Sequence, residues 1–250
     1  MPLFQTSCAV VEEEANHFLW ITGGWPGYNT SVVVQPDGKV EEGPDLPFGA
    51  NLHCVTWVDP KHGVLVVYGT GNTYFYRFDT DRWTKAPKLL HGRWAHSCAT
   101  FRSQYHQDRV VVMVSGGVVE GTISNSTEIY DPSNSYGWNF LEGDIINTFN
   151  TFMKARHKSR LCLGVGMPKA LHGHNMVRTP AGDGVIVLGG INGYDGEQQF
   201  LYQMTCYQDG CIWDKMKGAQ MSFPRTDFVS MLIPDSWSNC TNNTSLATID

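Results

Sequence analysis

The chain has 250 residues, 42% apolar and 17% charged, which is enough length to bury a sizeable core and too little charge for a disordered segment. Its 18 basic against 24 acidic side chains give a formal charge of −6 with no basic block, which argues against a nucleic-acid partner or attachment to an anionic membrane. No apolar run approaches the roughly 18 residues that span a bilayer, and residues 1–24 lack the basic start and unbroken apolar centre of a secretory signal.

In chain order, four short apolar runs end in glycine: Phe18–Gly24, Val64–Thr70, Val110–Gly117 and Val185–Gly190. Their first glycines, Gly23, Gly69, Gly116 and Gly189, are separated by 46, 47 and 73 residues, so one unit is about 47 residues and the third carries an insertion. Each run follows a second apolar stretch: Ser7–Val11, His53–Trp57, Ser97–Phe101 and Asn175–Arg178. Turn signals such as Asp59–Gly63 and Thr179–Gly184 join the two into a hairpin. A third strand and a tryptophan-bearing fourth come next, as in Phe75–Trp83. The glycine-ended runs are apolar without alternation, so both of their faces must be covered. Four-stranded sheets recurring every 40–50 residues and packed face to face are the pattern of a β-propeller. Only about Asp144–Lys158 suits a helix.

The cysteines fall into groups. Cys8, Cys54 and Cys98 recur at one apparent position of the first strand, one per unit. Equivalent positions about one sheet spacing (~10 Å) apart cannot be bridged, so all three are expected to be reduced, buried thiols. Cys206 and Cys211 flank a four-residue loop and are expected to form a disulfide across a hairpin, while Cys162 and Cys240 are left over. Sequons at Asn29 and Asn125 fall in loops after the glycine strands and are candidate glycosylation sites. Together with the hairpin disulfide they tilt the expected setting towards an extracellular or lumenal one.

These units resemble the kelch repeat, in which Gly-Gly ends the second strand, an aromatic-Asp pair ends the third, the fourth carries a tryptophan, and an Arg and a His precede the next blade. The third unit matches best, with Arg93–His96, Gly116-Gly117, Tyr130-Asp131 and Trp138. The second has Gly69, Phe78-Asp79 and Trp83, with Thr70 in place of a second glycine. The fourth has Gly189-Gly190 and Trp213, and the first has Gly23-Gly24 without the tryptophan. The resemblance implies an all-β, kelch-type propeller with blades at about 4–48, 49–92, 93–170 and 171–222. The third blade has its insertion at 141–169, and a partial fifth blade at 223–234 precedes a polar tail, 235–250. Kelch rings usually have six or seven blades, so these would be part of a larger ring. Paired glycines suit sharp turns and close backbone approach, and Trp83, Trp138 and Trp213 suit the gaps between blades.

Chemistry is sparse. His172-Gly-His174 is the one tight histidine pair, placed where two residues of a strand would share a face, but no third and fourth ligand has recognised metal-site spacing. A copper-radical oxidase would need a tyrosine–cysteine cross-link that no motif ties together. There is no nucleophile elbow, phosphate loop or His-Glu-x-x-His, and Glu12–Glu14 are expected in a solvated turn. No cofactor or metal is therefore expected. The expected function is non-catalytic protein binding through loops of one rim: Trp25, Tyr28, Asn72, Arg93, Trp94, Asn192, Tyr194 and Arg225. The alternative is an enzyme or carbohydrate site at the ring centre using His53, His96, His172 or His174.

Overall fold

The computed structural model describes residues 5–231 apart from 14–15, 27, 135, 141–165, 194, 209 and 229. The expected helix at 144–158, Cys162, Cys240, Tyr194, Glu14 and the tail all lie outside the described residues. Four antiparallel four-stranded sheets follow one another as propeller blades. Blade one contains β1 (Ser7–Glu13), β2 (Asn16–Thr22), β3 (Ser31–Val34) and β4 (Val40–Glu42). Blade two contains β5 (Cys54–Asp59), β6 (Gly63–Val67), β7 (Thr73–Arg77) and β8 (Arg82–Ala86). Blade three is β9 (Ser97–Ser103), β10 (Arg109–Ser115), a small hairpin of β11 (Val118–Val119) with β12 (Thr122–Ile123), then β13 (Thr127–Tyr130) and β14 (Asn139–Phe140). Blade four is β15 (Asn175–Arg178), β16 (Gly184–Leu188), the hairpin β17 (Ile191–Asn192) with β18 (Gly196–Glu197), then β19 (Phe200–Tyr207) and β20 (Gly210–Gln220).

The unbroken apolar runs became the second strands, and each is covered on both faces as expected: every residue of β6 and β16 is buried. Three apolar cores fill the gaps between successive blades. Val11, Trp20, Val55, Val64 and Val66 join blades one and two, Leu65, Val67, Val112 and Val114 join two and three, and Val111, Met113, Val185 and Met204 join three and four. The tryptophans lie in these gaps. Trp83 packs on Trp20 and Tyr76 and donates to the Asp45 carbonyl at 3.0 Å. Trp138 packs on Tyr130 and donates to the Pro87 carbonyl at 2.9 Å, and Trp213 rests against the core between blades three and four. A buried indole needs such a partner for its N–H.

Blade two departs from the spacing. The backbone N–H of Gly23 and Gly116 reaches the residue before the third strand, Thr30 and Ser126; in blade two it is Tyr68 that does so, to Asn72 at 2.9 Å. Tyr68 thus stands where the first glycine does elsewhere, and Gly69 is the second glycine of the pair. Gly116 needs to be glycine, because φ is +62° and a Cβ would lie 2.5 Å from the Leu171 carbonyl. At Tyr68 the phenol instead fills space against His53, Phe48 and Tyr74.

This slip of one residue corrects the reading of the cysteines. Cys8 pairs with Ile21, Cys98 with Val114 and Cys54 with Val67. Each partner lies two residues before the glycine first counted, but in blade two that glycine is the later one. Successive strand residues face opposite sides, so Cys54 points at blade three while Cys98 points back at blade two. Innermost strands also converge on the propeller axis, closer than two stacked sheets. The pair is therefore a disulfide with Cα atoms 5.8 Å apart, not two buried thiols. Among the described residues Cys8 is the free cysteine, with its thiol pushed up to about 12 by burial. Cys206–Cys211 is bridged across the β19–β20 hairpin as expected.

The Cys54–Cys98 bridge closes a loop of 44 residues and clamps two blades at their inner edge. The Cys54→Ser/Cys98→Ser variant is expected to lose about 4 kcal/mol by loop-closure entropy, against about 2 for Cys206→Ser/Cys211→Ser. Urea unfolding of both variants checks this order, and equal losses would contradict it.

Candidate functional site

The approach to each blade repeats one backbone device. Gln5, Leu52, Ala95, Gly173 and Asp227 all have positive φ, between 50° and 61°. Ala95 N–H donates to Leu52 O, Gly173 to Ala95 O and Asp227 to Gly173 O, at 3.2, 2.9 and 2.8 Å. A second set runs from the glycine loops to the next approach, namely Gly24 to Ala50 O, Gly117 to Leu171 O and Gly190 to Arg225 O, at 2.8, 2.7 and 2.8 Å. Glycine loops and approach segments are thereby fixed together on one rim around the channel. Segment 223–228, read as the start of another blade, carries the same contacts, with Asp227 and Phe228 in the places of Ala95 and His96.

Directly after these left-handed positions come His53, His96 and His174, buried to 5%, 4% and 4% exposure and lining one end of the channel. The Thr22 hydroxyl donates to Ser7 O at 3.2 Å, so it accepts from His53 Nε2–H at 2.8 Å and leaves Nδ1 bare. His174 Nε2 meets the Ser115 hydroxyl at 3.4 Å, and its Nδ1 has no partner among the described residues. His96 faces the blade with Val67 at the corresponding place, which offers no hydroxyl, and neither of its ring nitrogens is paired. Burial pushes His53 down to about 4 and His96 and His174 down to about 3, with Arg93 adding to the last two, so all three are neutral imidazoles at pH 7. The expectation that His172 and His174 share a strand face fails, because Gly173 at φ +61° turns the chain between them. Among the described residues no group of three or more His, Cys, Asp or Glu side chains is arranged to hold a metal ion.

At the other end of the channel, Glu12 of β1 pairs with Arg178 of β15, joining blades one and four. Glu12 and Glu13 therefore belong to a strand, not to the solvated turn their charge suggested.

The expected rim residues separate into three groups. Trp25, Tyr28 and Trp94 are exposed, at 59%, 37% and 63%, and Phe48 and Leu90 join them at 55% and 49%. Asn72 and Arg225 are half-buried. Arg93 and Asn192 are not surface residues. Arg93 is fully buried in an ion pair with Glu128 at 2.6 Å, and it donates to the Gly116 carbonyl and to Ser126 O and Oγ at 3.0–3.1 Å. Asn192 donates to Ala170 O at 3.2 Å and is 9% exposed. Tyr194 lies outside the described residues. The sequence reading passed over Phe48 and Asp227; aligning Leu52-His53, Ala95-His96 and Asp227-Phe228 would have flagged the one charged side chain in that ring of left-handed positions.

Asn29 and Asn125 are both exposed, but their sequon hydroxyls, Ser31 and Thr127, are buried at 7% and 0%. No helix among the described residues is long and apolar enough to cross a membrane.

A solved structure described as that of YjhT resembles this chain with a TM-score of 0.62, covering 94% of this chain and 70% of that one at 14% identity. At that identity the likeness establishes the propeller fold and nothing about activity. No protein-family model and no curated protein matches the chain.

Proposed function

We propose that this protein is a kelch-type propeller that acts as a non-catalytic recognition module, capturing a partner protein on the rim formed by its glycine loops and approach segments. The observation that carries the reading is the set of large side chains held out to solvent there: Trp25, Tyr28, Phe48 and Trp94. Rigid aromatics on loops pinned by inter-blade hydrogen bonds give contact area at low entropic cost, which is the composition of interface anchors. Trp94 is pinned within blade three as well, since its backbone pairs with Val118 in both directions, at 3.1 and 2.8 Å. The kelch assignment rests on Gly116-Gly117, Tyr130-Asp131, Trp138 and the buried Arg93 and His96. The two disulfides favour an oxidising setting, extracellular or lumenal. An enzymatic or carbohydrate site at the ring centre is less well supported, because the unpaired nitrogens of His53, His96 and His174 are sealed from solvent.

Joint replacement of Trp25, Tyr28 and Trp94 by alanine is expected to abolish capture of the partner in a pull-down from the native extracellular milieu. Tyr28→Ala alone should leave stability within about 0.5 kcal/mol, as a surface change does. Capture that survives the triple change would move the interface to the opposite rim.

A further inference from the structure

The mouth of the channel is a concavity of about 530 Å³ lined by Gln5, Trp25, Asn51, Leu52 and Asp227. Its charge is one-sided. Asp227 is the charged residue of the ring of left-handed positions that otherwise holds Gln5, Leu52, Ala95 and Gly173. Its backbone N–H is used by the Gly173 carbonyl, and among the described residues no cation forms an ion pair with its carboxylate. Beneath the mouth, the described residues that line the channel floor include no lysine or arginine to hold an anion. Trp25, whose indole is 59% exposed, lines the same concavity as the carboxylate. A carboxylate, an open aromatic face and two side-chain amides form a receptor for a cation on an apolar stem: the indole attracts the charge, the carboxylate and amide oxygens accept its N–H groups, and Leu52 and Trp25 cover its methylenes. The formal charge of −6 acts in the same direction at longer range.

We propose that this concavity seats a basic side chain, lysine or arginine, projecting from the partner protein. The proposal rests on the recognition reading above and specifies the chemistry of what is recognised. It requires no movement of the ring, because the ring is tied by backbone groups and Asp227, whose Oδ1 lies against Gly173, already lines the mouth.

The test uses the full chain and two capped pentapeptides, Gly-Gly-Lys-Gly-Gly and Gly-Gly-Glu-Gly-Gly, with methyl glucoside as a neutral polyol, each titrated by ligand-observed NMR. The lysine peptide is expected to show saturation transfer centred on its side-chain methylenes, and at least tenfold weaker binding by Asp227→Asn and by Trp25→Ala. Asp227→Glu should restore most of the affinity, and 0.5 M salt should weaken it. Asparagine tolerates the left-handed backbone at this position, so Asp227→Asn should keep the wild-type thermal melt. Equal binding of the lysine and glutamate peptides, binding of methyl glucoside in place of the lysine peptide, or an Asp227→Asn variant that binds like wild type would each overturn the proposal. The peptides touch nothing of Tyr28 or Trp94, so their failure counts against this pocket and leaves the rim reading to the pull-down.

Discussion

Acidification from pH 7 to pH 5 is expected to cost the protein roughly 6 kcal/mol of stability, enough to unfold a typical domain of this size. The three channel histidines are responsible. Each is held below the ordinary value of 6.5 by burial: His53 at about 4, His96 and His174 at about 3. An unfolded chain takes up protons at these groups near pH 6.5, whereas the folded chain refuses them until far lower pH. The sign follows directly: stability is full above pH 6.5, falls as pH drops below it, and levels off only below about pH 3–4. At pH 5 each histidine has gone 1.5 units past its unfolded value, about 2 kcal/mol apiece at 1.4 kcal/mol per unit. Arg93 close to His96 and His174, and His172 close to His174, act in the same direction, because a positive neighbour opposes another positive charge. Urea midpoints taken at half-unit pH intervals give the measurement. His96→Phe should reduce the slope by about a third and leave stability at pH 7 nearly unchanged, since both nitrogens of His96 are already unpaired and Phe228 occupies the corresponding place on the next segment. A flat profile between pH 7 and 5 would mean that water reaches these rings.

What the sequence made legible and what it hid follow from the same physics. The glycine-ended apolar runs identified β2, β6, β10 and β16 because a strand covered on both faces has no polar alternation, and that pattern is visible residue by residue. The inter-blade tryptophans were legible for a similar reason, as single large aromatic side chains on or directly before the fourth strands. The disulfide between Cys54 and Cys98 was hidden by a single residue. Counting to Gly69 gives the same spacing as counting to Gly23, yet Tyr68 is the one whose backbone makes the first glycine's hydrogen bond. A shift of one residue reverses the face of every side chain on a strand, so the spacing alone put Cys54 on the wrong side. Arg93 was misplaced for another reason: an arginine beside an exposed Trp94 looks like a rim anchor until its carboxylate partner, 35 residues away on β13, is known. The candidate pocket was the least legible part, since Gln5, Trp25, Asn51 and Asp227 come from separate segments that meet only through the ring of backbone contacts.

Replacing Arg93 by methionine is expected to destabilise the fold by about 5 kcal/mol, at the upper end of what breaking a buried ion pair costs. Arg93 and Glu128 are each 0% exposed, and their contact of 2.6 Å is the centre of a network. Glu128 accepts from the backbone N–H of Leu90 and His91 at 2.7 and 3.1 Å, which fixes the segment crossing from blade two to blade three. Arg93 in turn satisfies the carbonyls of Gly116 and Ser126, the two residues that flank the third blade's turn out of β10. Methionine fills much of the same volume but donates nothing, so the Gly116 carbonyl loses its donor and the Glu128 carboxylate keeps its two backbone N–H groups but loses its compensating charge, both side chains of the pair being fully buried. Glu128→Gln should cost about 3 kcal/mol: the amide offers one oxygen where the carboxylate uses both, Oε2 for Leu90 and Oε1 for His91 and Arg93, and it leaves the guanidinium charge uncompensated. The double variant Arg93→Met/Glu128→Leu removes both charges together and should be milder than the sum of Arg93→Met and Glu128→Leu made singly, with a coupling of at least about 2 kcal/mol in that double-mutant cycle. The same series separates the two readings of Arg93. An interface anchor on the rim would leave stability within about 0.5 kcal/mol when removed and would lose only partner capture. The buried bridge predicts a large loss of stability, while capture by the still-folded fraction survives as long as Trp25, Tyr28 and Trp94 are intact.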